Sequence, residues 1–185
     1  MTNLIESLPD TTRRGVWIAL LTVSSVALSL VFACAAPFAA FVALAAVHMR
    51  RGDVLALAVA TWLANQAVGY GLLHYPLTAN SFEWGAAIGV AVVAAAEAAI
   101  AARRPFARSM VTATVAAFTA SFVVYELVLY SFSFVLGDAG AFTLAIVGDI
   151  LKVNVLALLG LGILFYLAVM IGLARHEATT AGARH

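Results

Sequence analysis

Between positions 62 and 84 the chain carries an unusual density of side chains able to recognise a ligand. Trp62, Gln66, Tyr70 and His74 recur every four residues, so on a helix they share one slowly rotating face, flanked by Asn65. Tyr75, Asn80, Ser81 and Trp84 follow, with Pro76 as a helix terminator. Amides and hydroxyls supply hydrogen bonds, the rings supply apolar cover, and His74 supplies a nitrogen that binds protons or metals. One reading is an interfacial aromatic belt with amides as glue between helices. The other is a pocket open to one side of a membrane.

A second constellation consists of charges inside apolar segments. Lys152, the only lysine, follows Asp149 by about one helical turn, and Glu126 sits at comparable depth in the preceding segment. Each such charge costs several kcal/mol in a bilayer unless paired or hydrated, so the three are expected to meet one another or to line a wet cavity. An ion pair fixing helix register and a proton or ion relay are both open. A retinal Schiff base on Lys152 fits poorly with six crossings. Glu97, close to Arg103 and Arg104, reads as a snorkelling side chain. Cys34, the only cysteine, reads as a small buried thiol, with ligation of something bound in the outer pocket as its functional alternative. Ser25, Ser29 and Ala33 form a stripe of small residues suited to close helix contact.

The elements that must position these groups follow from composition. Of 185 residues, 64% are hydrophobic and 10% charged, with a mean hydropathy of +1.05, which excludes a water-dispersed globular enzyme. The apolar runs are continuous rather than alternating, which excludes a β-barrel. The expected fold is all-α, a single membrane domain with six transmembrane helices over about 15–33, 36–49, 54–73, 83–102, 109–133 and 141–174, followed by a polar tail at 177–185. The second segment is short for a crossing. It either borrows residues 31–35 or joins the first across a kink at Pro37. Six crossings place all nine arginines (13, 14, 50, 51, 103, 104, 108, 175 and 184) on one side, which the positive-inside rule makes the cytoplasm, with both termini there. The first apolar run exceeds a secretory h-region, so cleavage is not expected. No Walker motif, GxSxG elbow, HExxH or basic stripe for nucleic acid is present, and the chain carries no means of using ATP.

The stretch WLANQAVGYGLLHYPLTANSFEWGAAIG, residues 62–89, resembles the BtuM-type small bacterial cobalamin transporters, themselves similar to the S-components of energy-coupling-factor vitamin transporters. The resemblance implies multi-pass insertion in a bacterial cytoplasmic membrane and cobalamin as the transported ligand rather than as a cofactor of the protein's own. It leaves an energy-coupling module as an optional partner. It also implies a corrinoid pocket at the outer end of helix three, met by Trp62, Asn65, Gln66, Tyr70, His74, Tyr75, Asn80, Ser81 and Trp84. That type carries a cysteine near helix three that ligates cobalt and removes cyanide reductively. This chain has none there, which leaves enzymatic decyanation open and points to His74 as the cobalt ligand, with Cys34 as the alternative. Two other functions remain open: a proton- or ion-coupled carrier using Glu126, Asp149 and Lys152, and a non-catalytic subunit of a membrane complex.

Overall fold

The computed structural model describes residues 9–31, 36–106, 108–137, 140 and 142–170, and among these every regular element is helical. Six helices follow in order: α1 (Asp10–Val31), α2 (Phe38–His48), α3 (Arg51–Gly71), α4 (Ala79–Arg103), α5 (Met110–Leu136) and α6 (Leu144–Met170). A 3-10 turn, Arg104–Phe106, extends α4. The helices α3, α4, α5 and α6 are long and apolar enough to cross a membrane.

The boundaries follow local chemistry. Ala36 and Pro37 are non-helical, so Pro37 precedes a new helix rather than kinking a continuous one. The supplement at residues 32–35, together with Cys34 and Ala33, lies outside the described residues, as do residues 171–185 with Arg175 and Arg184. Extended backbone at Met49 and Arg50 separates α2 from α3. The Thr78 hydroxyl accepts the Ser81 N–H and starts α4 at Ala79, four residues before the sequence-based expectation of 83. Asn80 and Ser81 therefore stand in the first turn of a helix, not in the connection. Ser109 caps α5 in the same way, through the Thr112 N–H.

The short helix is the centre of the molecule. Nine of the 11 residues of α2 are buried, and it packs against each of the other five helices. A helix apolar on every side has no solvent face and belongs inside. At 1.5 Å per residue it is about 16 Å long, roughly half the thickness of a hydrocarbon core, so unlike α3 to α6 this helix is too short to cross one by itself. Small residues make this arrangement compact: Ala40, Ala43 and Ala46 of α2 and Ala91, Ala95 and Ala99 of α4 are fully buried. Phe41, Val54 and Leu57 fill the space between them.

Polar contacts fix which ends lie together. Arg51 at the start of α3 forms a two-pronged ion pair with Glu97 near the end of α4, through Nε at 3.2 Å and Nη2 at 2.5 Å. Glu97 thus has a defined cationic partner, one that differs from the neighbouring Arg103 and Arg104. The ring of His48 at the end of α2 lies against that of Phe165 of α6, tilted by 45° with centroids 3.7 Å apart. At the opposite end, the Asn80 amide donates to the Leu136 carbonyl, joining the start of α4 to the end of α5 at 3.1 Å. Arg50, Arg51, Arg103 and Arg104 therefore collect at one end, and the connection from α3 to α4 lies at the other.

Candidate functional site

Of the expected stripe, Trp62, Gln66 and Tyr70 face α4, where glycine makes room for them, whereas His74 lies beyond the end of α3 at Gly71 and off that face. Trp62 lies against Gly89, where an added Cβ would come within 2.7 Å of the indole, and its Nε1–H donates to the Gly85 carbonyl at 2.8 Å. The Gln66 side-chain oxygen packs against Gly85. One turn nearer the α3–α4 connection, the Tyr70 hydroxyl meets Ser81 Oγ at 3.2 Å and its ring stacks on Phe82 with centroids 4.9 Å apart. Trp62, Gln66, Tyr70 and Ser81 are thus brought together as a half-buried seam between two helices, with one edge toward the α3–α4 connection. Asn65 and Trp84 are also half-buried.

Beyond the seam, the connection is built tightly. The Leu72 and Leu73 N–H groups both donate to the Val68 carbonyl, and the Tyr75 N–H reaches the Gly69 carbonyl at 3.0 Å. The Tyr75 ring lies on Gly69, a position where no side chain fits, and meets Tyr70 edge-on at 5.9 Å. These contacts close the chain around His74, which takes φ of +55° and is exposed. His74 is the only non-glycine residue of positive φ among the described residues. A side chain in that region costs on the order of 1 kcal/mol, retained only where neighbours over-determine the backbone. Tyr75 is half-buried beside it and Asn80 is exposed, with its amide nitrogen committed to Leu136.

The intramembrane charges do not converge. Lys152 Nζ and Asp149 Oδ1 pair at 2.7 Å within α6, and both side chains are about three-quarters exposed, at 75% and 73%. An intrahelical pair cannot set the register between α5 and α6, so that expected role is not the one it plays. Glu126 is 9% exposed and neither carboxylate oxygen has a hydrogen-bond partner. Its neighbour Tyr125 contacts the ring of Phe38, the first residue of α2, at 6.0 Å, which places Glu126 near the depth where α2 begins. There the Ser121 hydroxyl donates to the Ala39 carbonyl at 3.1 Å, and Asn154 Oδ1 accepts the Ala40 N–H at 3.2 Å. Asn154 and Ser121 escape a reading that seeks charges and rings, since single polar residues in apolar helices give no pattern. The signal available was their rarity there.

Among the described residues no three His, Cys, Asp or Glu side chains gather as a metal site. Compared with family models, curated proteins and solved structures, the chain matches none of them.

Proposed function

We propose that this protein is a bacterial cytoplasmic-membrane binder or transporter for a corrinoid of the cobalamin class, received at the outer end of α3. The observation that carries the reading is His74: an exposed imidazole held in left-handed backbone at the apex of a connection tied down on both sides. Cobalamin brings its own equatorial ligands, so one imidazole completes the set, and its peripheral amides suit a rim of Asn80, Ser81 and Tyr75. In this reading six helices place the arginine end in the cytoplasm, with both termini there, and His74 faces the opposite compartment.

The test is titration of the purified chain with hydroxocobalamin while following the cobalt absorption bands. Wild type shifts the bands and retains the ligand through washing, whereas His74→Ala does neither. His74→Asn separates chemistry from backbone, because asparagine tolerates positive φ but is a poor cobalt ligand. Binding retained in both variants, with an unchanged spectrum, removes His74 and the proposal with it. External thiol labelling of Asn80→Cys in intact cells tests the orientation.

A proton- or ion-coupled carrier is a second reading, favoured by Glu126, whose buried carboxyl lacks a partner near the depth where a half-length helix begins. Transport lost in Glu126→Gln with corrinoid binding intact would join the two readings. Ion flux without corrinoid binding would replace the first.

A further inference from the structure

The turn from α4 to α5 gathers positive charge that no carboxylate among the described residues neutralises. Arg103, Arg104 and Arg108 are the only charged residues between Glu97 and Glu126. Arg103 is half-buried at the end of α4, and Arg104 and Arg108 are exposed. Glu97, the acid closest to them in sequence, is held by Arg51 through both Nε and Nη2. None of the three guanidinium groups has an ion pair or hydrogen bond with a described residue. The backbone keeps them near one another: the Arg104 N–H donates to the Ala101 carbonyl, and the Ser109 N–H to the Phe106 carbonyl at 3.0 Å.

Apolar surface lies beside this charge. Phe106, between Arg104 and Arg108 in the chain, is 46% exposed, and Met110 and Val111 in the first turn of α5 are 40% and 73% exposed. At 1.5 Å per residue α4 and α5 are about 37 and 40 Å long, more than a hydrocarbon core of about 30 Å, so the short turn joining them belongs at headgroup level. Its occupant must be acidic at one end and apolar at the other. Inorganic phosphate would meet the guanidinium groups alone. Phosphatidylcholine carries a cation of its own, which three arginines repel. A phospholipid of net negative charge satisfies both surfaces, its phosphate oxygens meeting the planar N–H forks and its chains the exposed apolar side chains.

We propose that this turn is a binding site for one anionic phospholipid, with Arg103, Arg104 and Arg108 around the phosphate and Phe106, Met110 and Val111 against the acyl chains. It lies at the opposite end of the bundle from His74 and is independent of what the α3–α4 connection receives.

The experiment reconstitutes the full chain in phosphatidylcholine bilayers with a trace of spin-labelled phosphatidylglycerol or spin-labelled phosphatidylcholine, and reads the immobilised fraction of each by electron paramagnetic resonance. Wild type immobilises phosphatidylglycerol preferentially. Arg104→Gln and Arg108→Gln each lower that preference by up to about fivefold, and the double variant loses it. Lys152→Gln removes the same charge elsewhere and leaves the preference intact: Lys152 precedes Phe165, the neighbour of His48 at the arginine end, by 13 residues, or about 20 Å. With every charge retained, Phe106→Trp gains a fluorescence that brominated phosphatidylglycerol quenches more than an equal amount of brominated phosphatidylcholine. Four results would overturn the proposal: equal immobilisation of the two lipids by wild type, a loss in Lys152→Gln as large as in the arginine variants, equal quenching of Phe106→Trp by both brominated lipids, or displacement of the lipid by inorganic phosphate where chloride of equal ionic strength displaces none.

Discussion

Replacing Gly89 by alanine isolates what holds α3 against α4. In a helix interior the change favours folding by about 1 kcal/mol through backbone entropy. Against this, the new Cβ would stand 2.7, 2.9 and 3.0 Å from Cε2, Cζ2 and Nε1 of Trp62, closer than carbon atoms approach without displacement. The indole has little freedom to retreat, because its Nε1–H is bonded to the Gly85 carbonyl one turn away. Moving the ring costs about 1–3 kcal/mol of overpacking, and loss of the hydrogen bond adds about 1 kcal/mol. The sum predicts that Gly89→Ala destabilises the protein by about 1–3 kcal/mol. Unfolding by dodecyl sulfate in mixed micelles, followed by far-ultraviolet circular dichroism, measures it. Gly71→Ala is the matched control: a Cβ there meets nothing within 4 Å, so it leaves stability unchanged or raises it by up to about 1 kcal/mol. In a Trp62→Leu background the penalty at Gly89 falls, giving a coupling energy between the two sites. A Gly89→Ala protein as stable as the parent refutes the argument that glycine is required for the indole to dock.

Asn154→Leu leaves the Ala40 N–H at the start of α2 without its acceptor, and the same unfolding assay should show a loss of about 1–3 kcal/mol. A loss below about 0.5 kcal/mol would mean that water or another group takes over the bond. Arg51→Ala is expected to shift the unfolding midpoint slightly at low salt and not measurably at high salt, since the Arg51–Glu97 pair is exposed on both sides; a large, salt-independent shift would contradict the exposure. Glu126→Leu should raise stability by about 1–3 kcal/mol, because it replaces a buried carboxyl without hydrogen-bond partners by an apolar group of similar size. A loss of stability instead would reveal a partner for the carboxylate.

Much of the architecture is written in the hydropathy pattern, and the exceptions have identifiable causes. Long apolar runs locate α3 to α6 within a few residues, because burial in lipid and burial in protein demand the same side chains. The start of α4 is missed because Thr78, Asn80 and Ser81 look like a loop by composition, whereas a Thr78 cap makes them helical. The central place of α2 is harder to see. A run of alanine and phenylalanine has the same composition whether it faces lipid or five other helices, and only its shortness hints at the difference. For the candidate site, a four-residue period correctly groups Trp62, Gln66 and Tyr70 on one face but is silent on what that face meets. The partner is Gly85 and Gly89, a spacing that an alanine-rich helix such as α4 hides, since almost any register there offers small residues. Lys152 and Asp149 pair as their spacing suggests, while Glu126, equal to them in depth by counting, lies on an interior face that counting cannot assign.

The half-length of α2 links these observations. A helix spanning the whole bilayer leaves its unpaired backbone groups in the headgroup region, where water satisfies them. Where α2 starts, at Phe38, those groups are N–H donors lying among α5 and α6: Asn154 accepts from the Ala40 N–H, and the Ser121 hydroxyl adds a further bond to the Ala39 carbonyl. These two bonds fix the height of α2 relative to α5 and α6 more specifically than packing of alanine on alanine does. They also leave Glu126 as the polar group at this level with no structural task. A bundle that needed only to stand would have an apolar residue there, because a partnerless carboxyl subtracts from stability. Glu126 is the residue on which the proposed proton- or ion-coupled reading rests, and the one at this level that packing alone does not require.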